Sequence, residues 1–317
     1  MKTLLFVLAL CSSAAFAQAD YPTKNVRFVV PFAPGGATNI ITRLVAEQLQ
    51  GALGRPFTVE NRGGAGGNIG AAEVAAAAPD GYSILMGSPG PNVINQFLYA
   101  KMPFQADRAF TPIAFIARLP NVLVVNPALG VKSVQQLIDS ARAKPGTIPF
   151  GTAGSGSTGH LSVELFRAMA RLDLTHIAYK GTGPALQDLL AGHVQMMIDN
   201  VPPMLPHIRA GKLVALGVTT QATVSSLPDV APIANTVPGY EAVSWVGIVG
   251  PAGVPAAVVA RLNAEANRAL EKPDVRERLV GLGAIPAPAT PEAFAKFIAS
   301  ETGKWKTVIQ TSGAKVD

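Results

Sequence analysis

Cysteine is all but missing from this chain: Cys11 is the single one in 317 residues. It lies in a leader-like segment, so disulfides and thiolate chemistry are excluded from everything after it, and stability must come from packing. Charge is also scarce, at 15% of residues, and no two basic residues are adjacent. The net charge of +6 is spread too thinly for a nucleic-acid surface and leaves only a weak bias toward small anions. Aromatics stand at 6%, and Trp245 and Trp305 both sit in apolar patterns that read as core. The histidines, His160, His176, His193 and His207, form no i, i+4 pair and no cluster with carboxylates, so no metal site is expected. No uninterrupted apolar run approaches the ~20 residues that cross a bilayer. What the chain does have is Ala, Gly and a 49% hydrophobic content. That suits a large buried core, and the length exceeds what one core usually serves, so two domains are expected.

The first residues read as an export signal. Lys2 precedes the apolar run Leu4 to Leu10, and Ala15-Phe16-Ala17 supplies an A-x-A cleavage pattern, which would start the mature chain at Gln18. Leu10 argues against lipid attachment at Cys11, which wants a small residue before it. An exported protein without cysteine points to a bacterial periplasm.

The chain is organised around Arg27 to Asn39, where the apolar run Phe28-Val29-Val30 breaks at Pro31-Phe32-Ala33-Pro34-Gly35-Gly36 and a helical pattern begins. This is a strand, a tight loop and a helix start. First-turn N–H groups and the positive end of the helix dipole suit an anion such as a carboxylate. Helical spacing of Ile40, Ile41, Leu44, Val45 and Leu49 stops at Gly51 and Gly54, and strands follow at Phe57–Glu60 and Tyr82–Met86. The same rhythm returns with a Ser133-capped helix, strands at Thr147–Phe150, Leu174–Tyr179, Val194–Ile198 and Leu213–Val218, and helices between them. Alternation of this kind means α/β units and a mainly parallel sheet flanked by helices in each domain. The apolar stretches Pro120–Pro127 and Ser244–Val249 are candidates for crossings between domains. The closing helices, one with Val258, Leu262 and Leu270 on a face and one begun by Thr290 and Pro291, have no strands of their own and should pack on the first domain. The expected division is residues 18–121 with 237–317 as a discontinuous domain I, and 122–236 as an inserted domain II, with the ligand cleft between them.

Ligands of parallel α/β sheets bind beyond the carboxyl ends of the strands. Those ends are Phe32–Asn39, Arg62–Gly70 and Gly87-Ser88 in the first domain, and Thr152–His160, Tyr179–Gly183 and Asp199-Asn200 in the second. Gly154-Ser155-Gly156-Ser157-Thr158-Gly159 satisfies the dinucleotide pattern G-x-G-x-x-G, but the next strand ends at Tyr179-Lys180 and not at the acidic residue that would hold a ribose. Ser155 or Ser157 with His160 and Asp199 could make an exported hydrolase. The elbow pattern G-x-S-x-G fails at both serines, however, because Ala153 and Ser155 occupy the first glycine position. Asp199 reads equally well as a turn-former or helix cap.

The blocks YPTKNVRFVVPFAPGGATN and VENRGGAGGNIGAAEVAAAAPDGYSIL, the serine-rich loop ending Gly159-His160, the Tyr179-Lys180-Gly181 turn and the Glu301–Trp305 segment resemble, in order and almost end to end, the substrate-binding receptors of tripartite tricarboxylate transporters, the Bug or TctC-like family. The resemblance implies a periplasmic two-domain clamshell, monomeric, without catalysis or cofactor. Such a receptor takes a small carboxylate and passes it to a permease of large and small subunits or to a sensor. It further implies a site of backbone N–H groups, hydroxyls and ordered water: Phe32, Pro34, Gly35, Gly36, Ala37 and Thr38 on one side, Thr152, Ser155, Ser157, Thr158 and His160 on the other, with Ser88 and Asp199 at the rim. The family usually carries Asp where this chain has Asn39, which removes a negative charge beside the anion site. Dispersed donors with bridging water suit a receptor that must also release, and closure is expected as a hinge motion near Val122–Val125 and Trp245–Val249.

Overall fold

The computed structural model describes residues 21–312, so the leader reading, with Cys11 and the cleavage after Ala17, lies outside the described residues. The first unit is β1 (Val26–Val30), α1 (Ala37–Leu53), β2 (Phe57–Asn61), α2 (Asn68–Ala75) and β3 (Ser83–Gly87). β1 lies between its neighbours, parallel to both, with Phe28 opposite Val59 and Ile84. Only Arg27 of β1 is not fully buried, which explains the near-continuous apolar run. α1 runs through Gly51 and ends at Gly54, whose φ of 68° is the left-handed conformation that glycine adopts without a Cβ penalty.

β4 (Phe110–Val125) is the long strand of the molecule. It is followed by α3 (Val134–Ala143), β5 (Pro149–Thr152), α4 (Thr158–Ala170), β6 (Thr175–Ala178), α5 (Thr182–Ala191), β7 (Met196–Asn200), α6 (Val201–Arg209) and β8 (Val214–Val218). The last elements are β9 (Val243–Pro251), α7 (Ala256–Glu271), α8 (Pro273–Gly281), β10 (Ile285–Pro286) and α9 (Pro291–Ser312). The sheet order is β2-β1-β3-β9-β4-β7-β5-β6, with β8 and β10 also paired to β4. Two parallel triplets, β2-β1-β3 and β7-β5-β6, are the strands that the alternating pattern predicts. Antiparallel β9 and β4 join them, so the whole is a mixed α/β sheet flanked by helices.

β4 changes partners along its length. Phe110 to Pro120 pair with β9, and Asn121 to Val125 pair with β7 and β8. One crossing is therefore continuous strand at Pro120-Asn121, inside the expected stretch. The return lies just upstream of Ser244–Val249. β9 is already paired to β4 from Val243 onward and to β3 at Gly247 to Val249, and its apolar run reflects a central strand buried on both faces. Asn121 ties the two crossings together: its Nδ2 donates to Ala242 O at 3.2 Å, and Thr219 Oγ1 donates to Ala242 O as well.

The closing helices pack more widely than the pattern suggests. α7 lies on α1 and β4 in the first half, whereas α9 covers β4 and also touches α4 of the second. Phe294 on α9 stacks on Phe115 with ring centres 5.1 Å apart and meets Trp245 edge-on at 5.6 Å. Trp305 is buried, and its Nε1 donates to Glu301 Oε2 at 3.0 Å. Thr290 caps α9 as its sequence predicts, its Oγ1 accepting from Ala293 N–H at 3.2 Å. α6 escapes a propensity reading because Pro202 and Pro203 open it and Pro206 sits within it; the first turn tolerates proline because those N–H groups have no intrahelical partner anyway.

Candidate functional site

Helix starts converge on one cavity between the two halves. Its walls include Gly36, Ala37 and Thr38 at the start of α1, Thr158 and Gly159 at the start of α4, Thr182 at the start of α5 and Asn200 before α6. Phe32, Ser88, Ala153, Ser157, Asp199 and Ser244 complete them. The volume is about 30 Å³, room for about two or three waters. A larger ligand enters only if the halves part.

The α1 end is open to an anion. Its N-cap Gly36 is extended and carries no side-chain cap, and the first intrahelical bond is from Ile40 N–H to Gly36 O at 3.1 Å. The first-turn N–H groups consequently have no helical partner. Ser88 lines the same cavity; it is 5% exposed, and its Oγ has no hydrogen-bond partner among the described residues. Its backbone is held in place, N–H donating to Asn92 Oδ1 at 2.9 Å. A buried hydroxyl left unpaired beside an uncapped helix start is a donor set waiting for an acceptor.

The other wall is already partly satisfied. Ser157 caps α4 through its Oγ, which accepts from His160 N–H at 3.2 Å, and Thr158 Oγ1 lies 3.1 Å from Ser244 Oγ. Asp199 accepts from Thr182 Oγ1 at 2.8 Å and from Asn200 N–H at 2.7 Å. Burial pushes the Asp199 carboxyl up to about 6, against the opposing pull of those two donors.

Of the residues singled out in the sequence, Phe32, Gly36, Ala37, Thr38, Ser88, Ser157, Thr158 and Asp199 line the cavity. Pro34, Gly35, Thr152, Ser155 and His160 do not. Gly35 and Pro34 face Gly183 where the halves touch, and Ser155 O accepts from Tyr99 OH at 2.7 Å. Thr152 and His160 stand behind the serine-rich loop. Gly156 N–H donates to His160 Nδ1 at 3.2 Å, the His160 ring stacks on His176 at 4.3 Å, and His176 Nε2 lies 2.7 Å from Thr152 Oγ1. They set the loop's shape. Ala153, Gly159, Thr182 and Asn200 fall within the strand-end loops read from the sequence without being singled out there, and Ser244 lay outside those loops.

These bonds also dispose of the hydrolase arrangement. Ser157 Oγ is engaged with a backbone N–H, His160 Nδ1 with Gly156, and Asp199 with Thr182 and Asn200, so no serine–histidine–aspartate relay exists among them. In the dinucleotide-like loop, a Cβ on Gly156 would come 2.0 Å from Asn95 Oδ1, and one on Gly159 would come 2.6 Å from Ile198 O. Those glycines serve protein packing. Asn39 turns away from the cavity: its Nδ2 donates to Asn61 Oδ1 at 3.0 Å, and Asn61 Nδ2 in turn donates to Phe32 O at 2.8 Å, bracing the β1–α1 loop.

The model of the family described as "Tripartite tricarboxylate transporter family receptor" matches residues 41–314. This chain belongs to that receptor family. Among solved structures, it is similar to Rpa4515 of R. palustris with adipate, at 38% identity, TM-score 0.91, and coverage of 93% of this chain and 100% of that one. It is similar also to the periplasmic binding protein BugD, at 32%, TM-score 0.89, and coverage of 93% and 99%. MatC from Rhodopseudomonas palustris, with bound malate, matches at 34%, TM-score 0.87, and coverage of 91% and 100%. The receptor family shares the two-domain clamshell architecture expected from the sequence.

The stacked histidines make acid stability a test of this site. Burial first, then neighbouring positive charge, holds His160 down at about 3 and His176 at about 4. Both lie below the unfolded value of ~6.5. The unfolded chain therefore binds more protons, and stability falls as pH drops below ~6.5 toward 4. Asp199, raised to about 6, acts oppositely between there and its unfolded value of ~3.9, so the fall should be partial. Thermal unfolding from pH 7 to 5 should show a declining midpoint, and His176→Phe should flatten the decline. A wild-type midpoint that rises over that interval would rule out neutral buried histidines.

Proposed function

We propose that this protein is a periplasmic solute receptor that binds a small carboxylate in the cleft and delivers it to a tripartite tricarboxylate-type membrane transporter. The observation that carries the proposal is the uncapped start of α1 lining one cavity with Ser88, whose Oγ is unpartnered. The carboxylate sits there, held by first-turn N–H groups and the hydroxyl, with the Thr158 and Ser157 side supplying further donors through water. The ligands of Rpa4515 and MatC, adipate and malate, are of the same class. The chain needs no cofactor and carries out no chemistry. Its partners are the large and small permease subunits or a sensor, and it acts as a monomer.

The leader directs export, with cleavage after Ala17. The lobes comprise 18–121 with 237–317 and 122–236, and they move about the joined crossings at Asn121 and Ala242. Binding shifts the open–closed population by the ligand's differential affinity for the two states.

The test is thermal unfolding from Gln18 onward against carboxylates, amino acids, esters and nicotinamide nucleotides. A carboxylate at about 100 times its dissociation constant stabilises by ~2.7 kcal/mol and is recovered intact. Ser88→Ala should weaken that ligand about tenfold or more, the cost of a hydrogen bond to a charged group. Turnover of an ester, or a response to nucleotides alone, would replace the receptor reading with an enzyme.

A further inference from the structure

The cleft wall contributed by the second half contains a carboxylate of its own. Asp199 is 5% exposed and lines the cavity. It has two neutral donors, the Thr182 hydroxyl on one oxygen and the Asn200 N–H on the other, and it forms no ion pair with Lys, Arg or His among the described residues. Each carboxylate oxygen can accept more than one hydrogen bond, so capacity for a further donor remains on the face turned to the cavity.

A closed, water-poor cleft magnifies what stands opposite that group. A second carboxylate of the ligand placed there would meet a like charge with no intervening cation, and like charges in such a site disfavour joint ionisation. An ammonium or hydroxyl group would instead complete the unused acceptor capacity. The two walls thus differ in sign: the α1 start and Ser88 offer hydrogens, whereas Asp199 requests one.

We infer that Asp199 determines specificity by accepting a hydrogen bond from the ligand, so that the cargo is a small carboxylate bearing an amino or hydroxyl substituent. The inference rests on the receptor reading. It adds that a plain alkanoate or dicarboxylate of the same carbon skeleton is a poorer ligand.

Matched series separate the two ideas. Succinate, aspartate and malate; propionate, alanine and lactate; and glutarate, glutamate and 2-hydroxyglutarate are titrated calorimetrically into wild type and Asp199→Asn. In wild type, a substituted member of the recognised series should bind at least tenfold tighter than its parent. In Asp199→Asn, whose amide can donate, the advantage should shrink below threefold. Equal or tighter binding of the parent acids to wild type overturns the inference while leaving the receptor reading standing. So does an advantage that survives the substitution; a residue that merely braces α5 against α6 would weaken every member alike and leave the ratios unchanged. Should the variant not fold, the wild-type ratios alone decide. If no carboxylate of any series binds wild type while another class does, the receptor reading for carboxylates fails, and this inference with it.

Discussion

Gly183→Val should lower ligand affinity a hundredfold or more while leaving the fold intact. Gly183 does not line the cavity. A Cβ there would come 2.2 Å from Pro34 O, across the contact between the halves, and the reciprocal Cβ on Gly35 would come 3.2 Å from Gly183 Cα. The pattern repeats along the seam. A Cβ on Gly66 would lie 2.1 Å from Ser155 O, one on Gly63 2.6 Å from Lys180 O, and one on Gly181 2.7 Å from Ala33 N. Ala33 N–H also donates to Lys180 O at 3.0 Å. The halves therefore meet backbone to backbone, and bare glycine is what lets them approach.

A valine side chain at 183 holds the seam apart, and apparent affinity falls with the fraction of molecules able to close. A variant closed about 1% of the time binds about a hundredfold more weakly. Calorimetry gives the affinity, and small-angle scattering should show that saturating ligand no longer compacts the variant. Its unliganded melting temperature should stay near wild type, since the cores on either side are untouched. Gly51→Ala, in a helix with open space around it, should bind normally. Wild-type affinity in Gly183→Val would show that closure does not require this seam. Gly36→Val should be at least as damaging, since position 36 lines the cavity and a Cβ there would come 3.2 Å from the Thr182 side chain.

Phe294→Ala should destabilise the fold by about 3–5 kcal/mol, the usual range for removing a buried aromatic. Its ring is fully buried, stacked on Phe115 and edge-on to Trp245. It also fills the space above Gly247, where a Cβ would come 2.3 Å from Phe294 Cζ. Close packing on every side leaves little room for collapse into the void, which places the cost high in the range. Denaturant unfolding should show a lower midpoint with an unchanged slope. A loss below about 1 kcal/mol would mean that α9 is not integral to the core beneath β4 and β9.

Much of the scaffold was readable because it is encoded locally. The β1–α1 corner follows from an apolar run broken by Pro31, Pro34 and two glycines. Ser133 and Thr290 mark helix starts by side chains that bond three residues ahead, and Gly54 marks a stop by its backbone freedom. α6 was unreadable because its proline-rich opening contradicts propensity, although its start beside Asp199 shapes the site. Glycines written alike in sequence have different duties: Gly36 lines the cavity, Gly35 and Gly183 form the seam, and Gly156 and Gly159 pack against Asn95 and Ile198.

By itself, then, the amino-acid sequence determined the βα units, their caps and the loops at the strand ends, since each depends on interactions spanning a few residues. It also carried enough ordered blocks to indicate the receptor family. The tertiary structure alone decided which loop meets which: that Ser88 and the start of α1 share one cavity with Thr158 and Asp199, that Thr182 rather than His160 bonds Asp199, and that Thr152 and His160 stand behind the cleft. The shared cavity joins residues far apart along the chain, and it forms only when β4 carries one half of the sheet into the other and brings the helix starts together.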